Sequence, residues 1–179
     1  MLRVVVAFWV LFFGGCIATS AHVSAGPTLD TTGVVAVRVN AGFNFGISLS
    51  DSSAATVGLG VQGGTEAPLS ITSSFAYTQF QRSMGVRAEF LTTASLIGET
   101  GTLELAPSML FVHHQRRTES NGSEKNPFDD GSTFSGRAVS VRPHGGLQIR
   151  DGKEEGDDRQ LSGVFGVDLG YEFFLIGAM

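Results

Sequence analysis

The stretch GVVAVRVNAGFNFGISL, residues 33–49, constrains the fold more than any other part of the chain. From Val35 on, its odd-numbered residues are Val35, Val37, Val39, Ala41, Phe43, Phe45, Ile47 and Leu49, all apolar. The even-numbered ones are Ala36, Arg38, Asn40, Gly42, Asn44, Gly46 and Ser48. Successive side chains of a strand point to opposite faces, so a period of two predicts one long strand with two unlike faces. A helix would scatter both sets around its circumference.

Six later runs repeat the pattern. Val57, Leu59 and Val61 stand against Gly58 and Gly60, and Ile71, Phe75 and Tyr77 against Thr72, Ser74 and Thr78. Val86 and Phe90 oppose Arg87 and Glu89, while Leu103, Leu105 and Met109 oppose Thr102, Glu104 and Ser108. Val139, Val141 and Ile149 alternate with Ser140, Arg142 and His144; Val167, Leu169, Tyr171 and Phe173 alternate with Asp168 and Glu172. The links are short and turn-like, such as Gly63-Gly64 and Gly98-Glu99-Thr100-Gly101. Consecutive antiparallel hairpins follow, because parallel strands need crossovers of about a dozen residues. Residues 113–132, HHQRRTESNGSEKNPFDDGS, are expected to form one long exposed loop. Pro107 and Pro143 lie inside strand runs and are expected at bulges or strand ends.

Alternation alone leaves open whether the apolar face is the inside of a soluble barrel or the outside of a membrane barrel. The less apolar face is small and mostly uncharged, whereas a soluble exterior would carry many Lys and Glu. Lys125 and Lys153 are the only lysines, both in expected loops. The few charges on that face have both signs: Arg38, Arg87 and Arg142 against Glu89, Glu104, Asp168 and Glu172. These seven are expected to meet as a lumen polar network. In lipid every backbone polar group needs a partner within the protein, so a sheet can span only when it closes. Apolar outside and polar inside is the expected arrangement.

The N-terminus reads as a secretory signal, with Arg3 ahead of the apolar core Val4–Phe13. That core is shorter than the ~20 residues of a spanning helix. Val23-Ser24-Ala25 has small residues at the right spacing for cleavage, which makes residues 1–25 the signal and 26–179 the barrel domain. Alternatively, Phe13-Gly14-Gly15-Cys16 is similar to a lipobox, with Cys16 acylated. Cys16 is the only cysteine, so no disulfide framework exists. A net charge of −5 without a basic stripe argues against nucleic acid as a partner.

With these features on the page, the chain resembles the small outer-membrane β-barrel proteins of Gram-negative bacteria over essentially its whole length. The most specific piece is GVDLGYEF, whose Val167, Leu169, Tyr171 and Phe173 are similar to the C-terminal signal read by the outer-membrane assembly machinery. The resemblance implies an all-β, antiparallel up-and-down transmembrane barrel of eight strands. Seven runs are clear, so the eighth is expected either within residues 113–132 or from a break of the sixth run at Pro143-His144-Gly145-Gly146. It also implies residence in the cell outer membrane, with lipid, lipopolysaccharide and the barrel-assembly machinery as partners.

No catalytic constellation stands out. Some relatives in the resembled family are acyltransferases, deacylases or proteases, which need Ser, His and an acid in mutual reach. The histidines here are His22, His113, His114 and His144, and no deacylase-type His-x-Ser-Asn occurs. His113 and His114 near Arg116, Arg117, Asp129 and Asp130 suggest a metal or an anionic headgroup. Adjacent residues of a strand point oppositely, however, so no metal site is expected. Asn121-Gly122-Ser123 is read as a turn. The expectation is a non-enzymatic barrel without cofactor, serving envelope integrity, adhesion or anchoring of an envelope complex through its loops. The alternatives are a component of a trans-envelope motility, secretion or polymer-export machine, a small-solute pore, and a soluble secreted barrel holding an apolar ligand.

Overall fold

Among the described residues of the computed structural model every regular element is a β-strand, as the two-residue period demands. The structure describes residues 17–50, 52–65, 69–81, 83–96, 100–118, 133–150 and 160–177. The strands are β1 (Ile17–Asp30), β2 (Val35–Ser50), β3 (Ser53–Gly64), β4 (Ser70–Gln81), β5 (Met84–Ser95), β6 (Gly101–Leu105), β7 (Ser108–Thr118), β8 (Thr133–Arg150) and β9 (Gln160–Gly177). Neighbouring strands pair antiparallel in the order β1, β2, β3, β4, β5, and β8 with β9, and β1 also pairs with β9, so the sheet closes on itself. Both β6 and β7 lie between β5 and β8, making one stave interrupted at Ala106-Pro107. The barrel therefore has eight staves.

The two prolines share that interruption. Leu105 pairs with Gly145 and Met109 with Val141, so Pro107 and Pro143 fall opposite each other where no ladder joins the strands. Proline has no N–H to donate, and here none is called for. Pro143 does not break its strand, since β8 continues through it, paired with Val167 of β9.

The eighth stave lies in neither of the expected places. It is β1, formed from residues 17–30, so the barrel takes in residues 17–25 of the segment expected to be signal. Its residues are too small to show the contrast that marks the other strands. Nor are residues 113–132 all loop, because β7 carries the ladder with β8 out to Thr118. The remainder, including Asn121-Gly122-Ser123 and Asp129-Asp130, lies outside the described residues.

The side-chain assignment is inverted relative to a water-soluble protein. On β2 and β3 the outward residues include Val37, Phe43 and Leu59, the last 61% exposed. Large contiguous apolar surface of this kind marks a contact with something other than water. At about 3.3 Å per residue and a tilt near 40°, a 12-residue strand rises about 30 Å, enough to cross hydrocarbon. β3, β4 and β5 each have 12 residues.

Both described chain ends, Ile17 and Gly177, pair with each other at one rim, here the terminal rim. The ends of β2, β4 and β7 and the starts of β3, β5 and β8 lie at this rim too. At the opposite, distal rim lie the ends of β1, β3, β5 and β8 and the starts of β2, β4, β6 and β9. The β1–β2 turn is tight: the Asp30 carboxylate accepts from the N–H groups of Thr32 (2.9 Å) and Val34 (3.0 Å), and Gly33 adopts φ +87°. That left-handed conformation suits glycine.

Candidate functional site in the barrel lumen

Inward positions on eight staves bring distant residues together, and all seven expected lumen charges are buried there. Arg38 donates to both carboxylate oxygens of Glu104 at 2.9 Å and to Asp168 at 3.2 Å. Arg142 donates to Asp168 (2.8 Å), to Ser24 Oγ (3.0 Å) and to Glu89 (3.3 Å). Arg87 donates to both oxygens of Glu172, one at 2.8 Å, and to Thr78 Oγ1 at 2.9 Å. Asp168 thus bridges two arginines and links Glu104, Arg38, Arg142 and Glu89 with itself into one chain of five charges, with the Arg87–Glu172 pair nearer the terminal rim.

His144 joins this group and was not among the expected network residues. Its Nδ1 lies 2.8 Å from Glu104 Oε2 and its Nε2 3.6 Å from Asp168 Oδ1. Its place on the even-numbered face of the sixth run was a sufficient signal. Around these charges lie neutral partners. Asn44 donates to Ser20 Oγ (3.1 Å), and its amide contacts His22 Nδ1 at 3.5 Å.

Glycines make the packing possible. A Cβ on Gly42 would stand 2.7 Å from His22 Cε1, and one on Gly166 2.4 Å from His144 Nε2. Both are closer than carbon atoms tolerate, so the lumen glycines face the imidazoles because nothing larger fits.

The inner face is not polar throughout. Toward the terminal rim, Phe80, Leu110, Phe134, Phe174 and Ile176 point inward with Ala18, Ala54 and Ala138. Phe80 stacks on Phe174 with centroids 4.4 Å apart, and Phe134 completes the trio at 5.4 and 5.3 Å. This apolar floor corrects the expectation of a wholly polar lumen. Gly85 and Gly136 receive the rings, since their Cβ atoms would meet Phe80 at 2.8 Å and Phe174 at 2.6 Å. Toward the distal rim a cavity of about 50 Å³ remains, lined by Thr28, Asp30, Arg38, Gln62, Thr102 and Glu104 among others. It has room for a few waters.

The outward residues Val167, Leu169, Tyr171 and Phe173 line one face of β9. The strand continues past them to Gly177, with Leu175 outward as well. Tyr171 packs edge-on against Phe173 at 5.1 Å, His113 lies 5.4 Å from Tyr171, and Arg137 covers Phe173 at 5.4 Å. His113, His114 and Arg116 are exposed near the terminal rim. Among the described residues no group of three or more His, Cys, Asp or Glu is arranged to hold a metal ion. Cys16 lies outside the described residues.

Chemically, the lumen is a set of ion pairs closed from water by an aromatic layer at one end. No family model and no curated protein matches the chain. Among solved structures, the β domain of the Bordetella autotransporter BrkA is similar at 14% identity, over 88% of this chain and 98% of that one. Its TM-score is 0.24, too slight a likeness to carry a role across.

Proposed function

We propose that the chain is a small outer-membrane β-barrel that neither catalyses a reaction nor conducts solutes, and that works through the segments at its rims. The observation that carries this reading is the closed sheet with its large apolar side chains outside and its paired charges inside. Closure is the condition for a sheet to live in lipid. A water-soluble barrel with an apolar ligand inside would need the opposite faces.

The lumen supports a plug rather than a pore. An eight-stranded barrel is just wide enough for its own side chains to fill it. Here the filling has two layers, the Phe80–Phe134–Phe174 floor and the arginine–carboxylate network above it. Envelope integrity, adhesion or anchoring of an envelope complex are the roles left to such a barrel, with lipid, lipopolysaccharide and the assembly machinery as its surroundings.

Barrels of this kind have short periplasmic turns and longer outer loops. The β2–β3 and β4–β5 connections at the terminal rim span residues 51–52 and 82–83. That favours the terminal rim as periplasmic and the distal rim as the lipopolysaccharide-facing one. In that orientation His113, His114 and Arg116 face the periplasm.

Heat-modifiability tests the reading. Protein from isolated outer membranes is run in SDS with and without boiling. A mobility shift supports the closed membrane barrel; a soluble protein with no shift would reject it.

A further inference from the structure

Residues 17–25 are structural in this barrel. Ile17–Ala25 pair residue by residue with Ile47–Val39 of β2 on one side and with Gly177–Leu169 of β9 on the other. Their inward members join the lumen: Ala18 belongs to the apolar floor, Ser20 accepts from Asn44, and Ser24 accepts from Arg142. Their outward members, Thr19, Ala21, Val23 and Ala25, carry no charge and continue the outer face.

A chain beginning at Gly26 would keep only the last five residues of β1, Gly26–Asp30. Residues 39–47 of β2 and 169–177 of β9 would then become free edges along most of their length. In hydrocarbon each unpaired backbone group costs several kcal/mol, so such a seam cannot stand in a membrane. The small residues that a leader's cleavage site requires are also present earlier. Gly14, Gly15 and Cys16 follow directly on the apolar core that ends at Phe13, whereas Ala25 lies far downstream of it.

We propose that the leader is removed at the Gly15–Cys16 or the Cys16–Ile17 bond, so that residues 17–25 stay in the mature protein as the first part of β1. The reaction is hydrolysis of one peptide bond by a leader peptidase. Water supplies the oxygen that turns the residue 15 or 16 carbonyl into a carboxylate, and the released nitrogen becomes the new N-terminal ammonium. The inference rests on the outer-membrane reading.

The test is the N-terminus of the full-length chain after export in a Gram-negative host, read by intact mass and N-terminal sequencing of outer-membrane protein. A start at Cys16 or Ile17 supports the inference. A diacylglyceryl mass on a Cys16 start identifies the lipoprotein peptidase as the cleaving enzyme, and its absence the ordinary one. A start at Gly26 in a heat-modifiable outer-membrane barrel overturns the inference while leaving the outer-membrane reading intact. An uncleaved chain outside the membranes overturns both. Ala25→Leu provides an independent check, because Leu is too large for the last position before a cleaved bond and yet suits an outward site. It should leave the mature mass changed only by the substitution; accumulation of precursor would place cleavage after residue 25.

Discussion

Arg38 and Glu104 are 66 positions apart in the chain, yet one guanidinium nitrogen lies 2.9 Å from both carboxylate oxygens. Their strands, β2 and β6, are not neighbours in the sheet, so the pair reaches across the lumen. With Asp168 and Arg142 it ties opposite walls of the barrel together.

Removing one member should cost more than removing both. Glu104→Ala leaves Arg38 buried beside fewer counter-charges, a loss of about 3–5 kcal/mol for a broken buried pair. Adding Arg38→Met should restore part of that stability. Urea unfolding in detergent micelles measures both, and a single-variant loss below about 1 kcal/mol would mean the pair does not hold the walls.

The outer face should be sensitive to charge according to depth. Leu59 sits mid-strand on β3 and faces outward. Leu59→Arg should cost about 2–4 kcal/mol in a bilayer, while Val35→Arg, at the distal end of β2, should cost about 0–1 kcal/mol. The fraction of protein that acquires the heat-modifiable form reports the difference. Equal tolerance at both sites would contradict a lipid-facing Leu59.

The aromatic floor should be a packed layer. Phe174→Ala should lower stability by about 3–5 kcal/mol through the cavity it leaves. Gly136→Leu should also destabilise, since its side chain would enter the space of the Phe174 ring. Unfolding midpoints of the two variants against wild type settle the point, and unchanged midpoints would show a loose floor.

In planar bilayers the purified protein should give no discrete conductance steps, because the floor and the ion pairs fill the lumen in series. Resolved steps from wild type would reject the plug.

Phe173→Ser should slow assembly in cells more than it weakens the finished barrel. Phe173 is 50% exposed on the outer face beside Tyr171, where a machinery could read it. Pulse-chase appearance of the heat-modifiable form measures the first effect, and refolding into detergent without machinery measures the second. Equal slowing in both would assign Phe173 to packing alone.

Much of this architecture was legible in the chain because alternation is a local property. Residues 35–49 announce their two faces without reference to any partner, and the seven expected charges could be placed inside for the same reason. His144 was legible on the same grounds, although its role between Glu104 and Asp168 was not. The Phe80, Phe134 and Phe174 floor escaped because each ring reads singly as an exception on a polar face. They become a layer only when β4, on one side of the barrel, and the neighbouring β8 and β9 bring them to one height.

The sequence by itself determined the strand class, the outward and inward sets and the opposing signs of the buried charge, all set by the two-residue side-chain period. Only the tertiary structure decided which segment closes the ring. Residues 17–25 have too little contrast between faces to declare a strand, and their partners lie on β2 and β9 at opposite ends of the chain. Tertiary structure also chose which arginine meets which carboxylate. Pairing across a lumen depends on the register of all eight staves at once, and no local stretch carries that information.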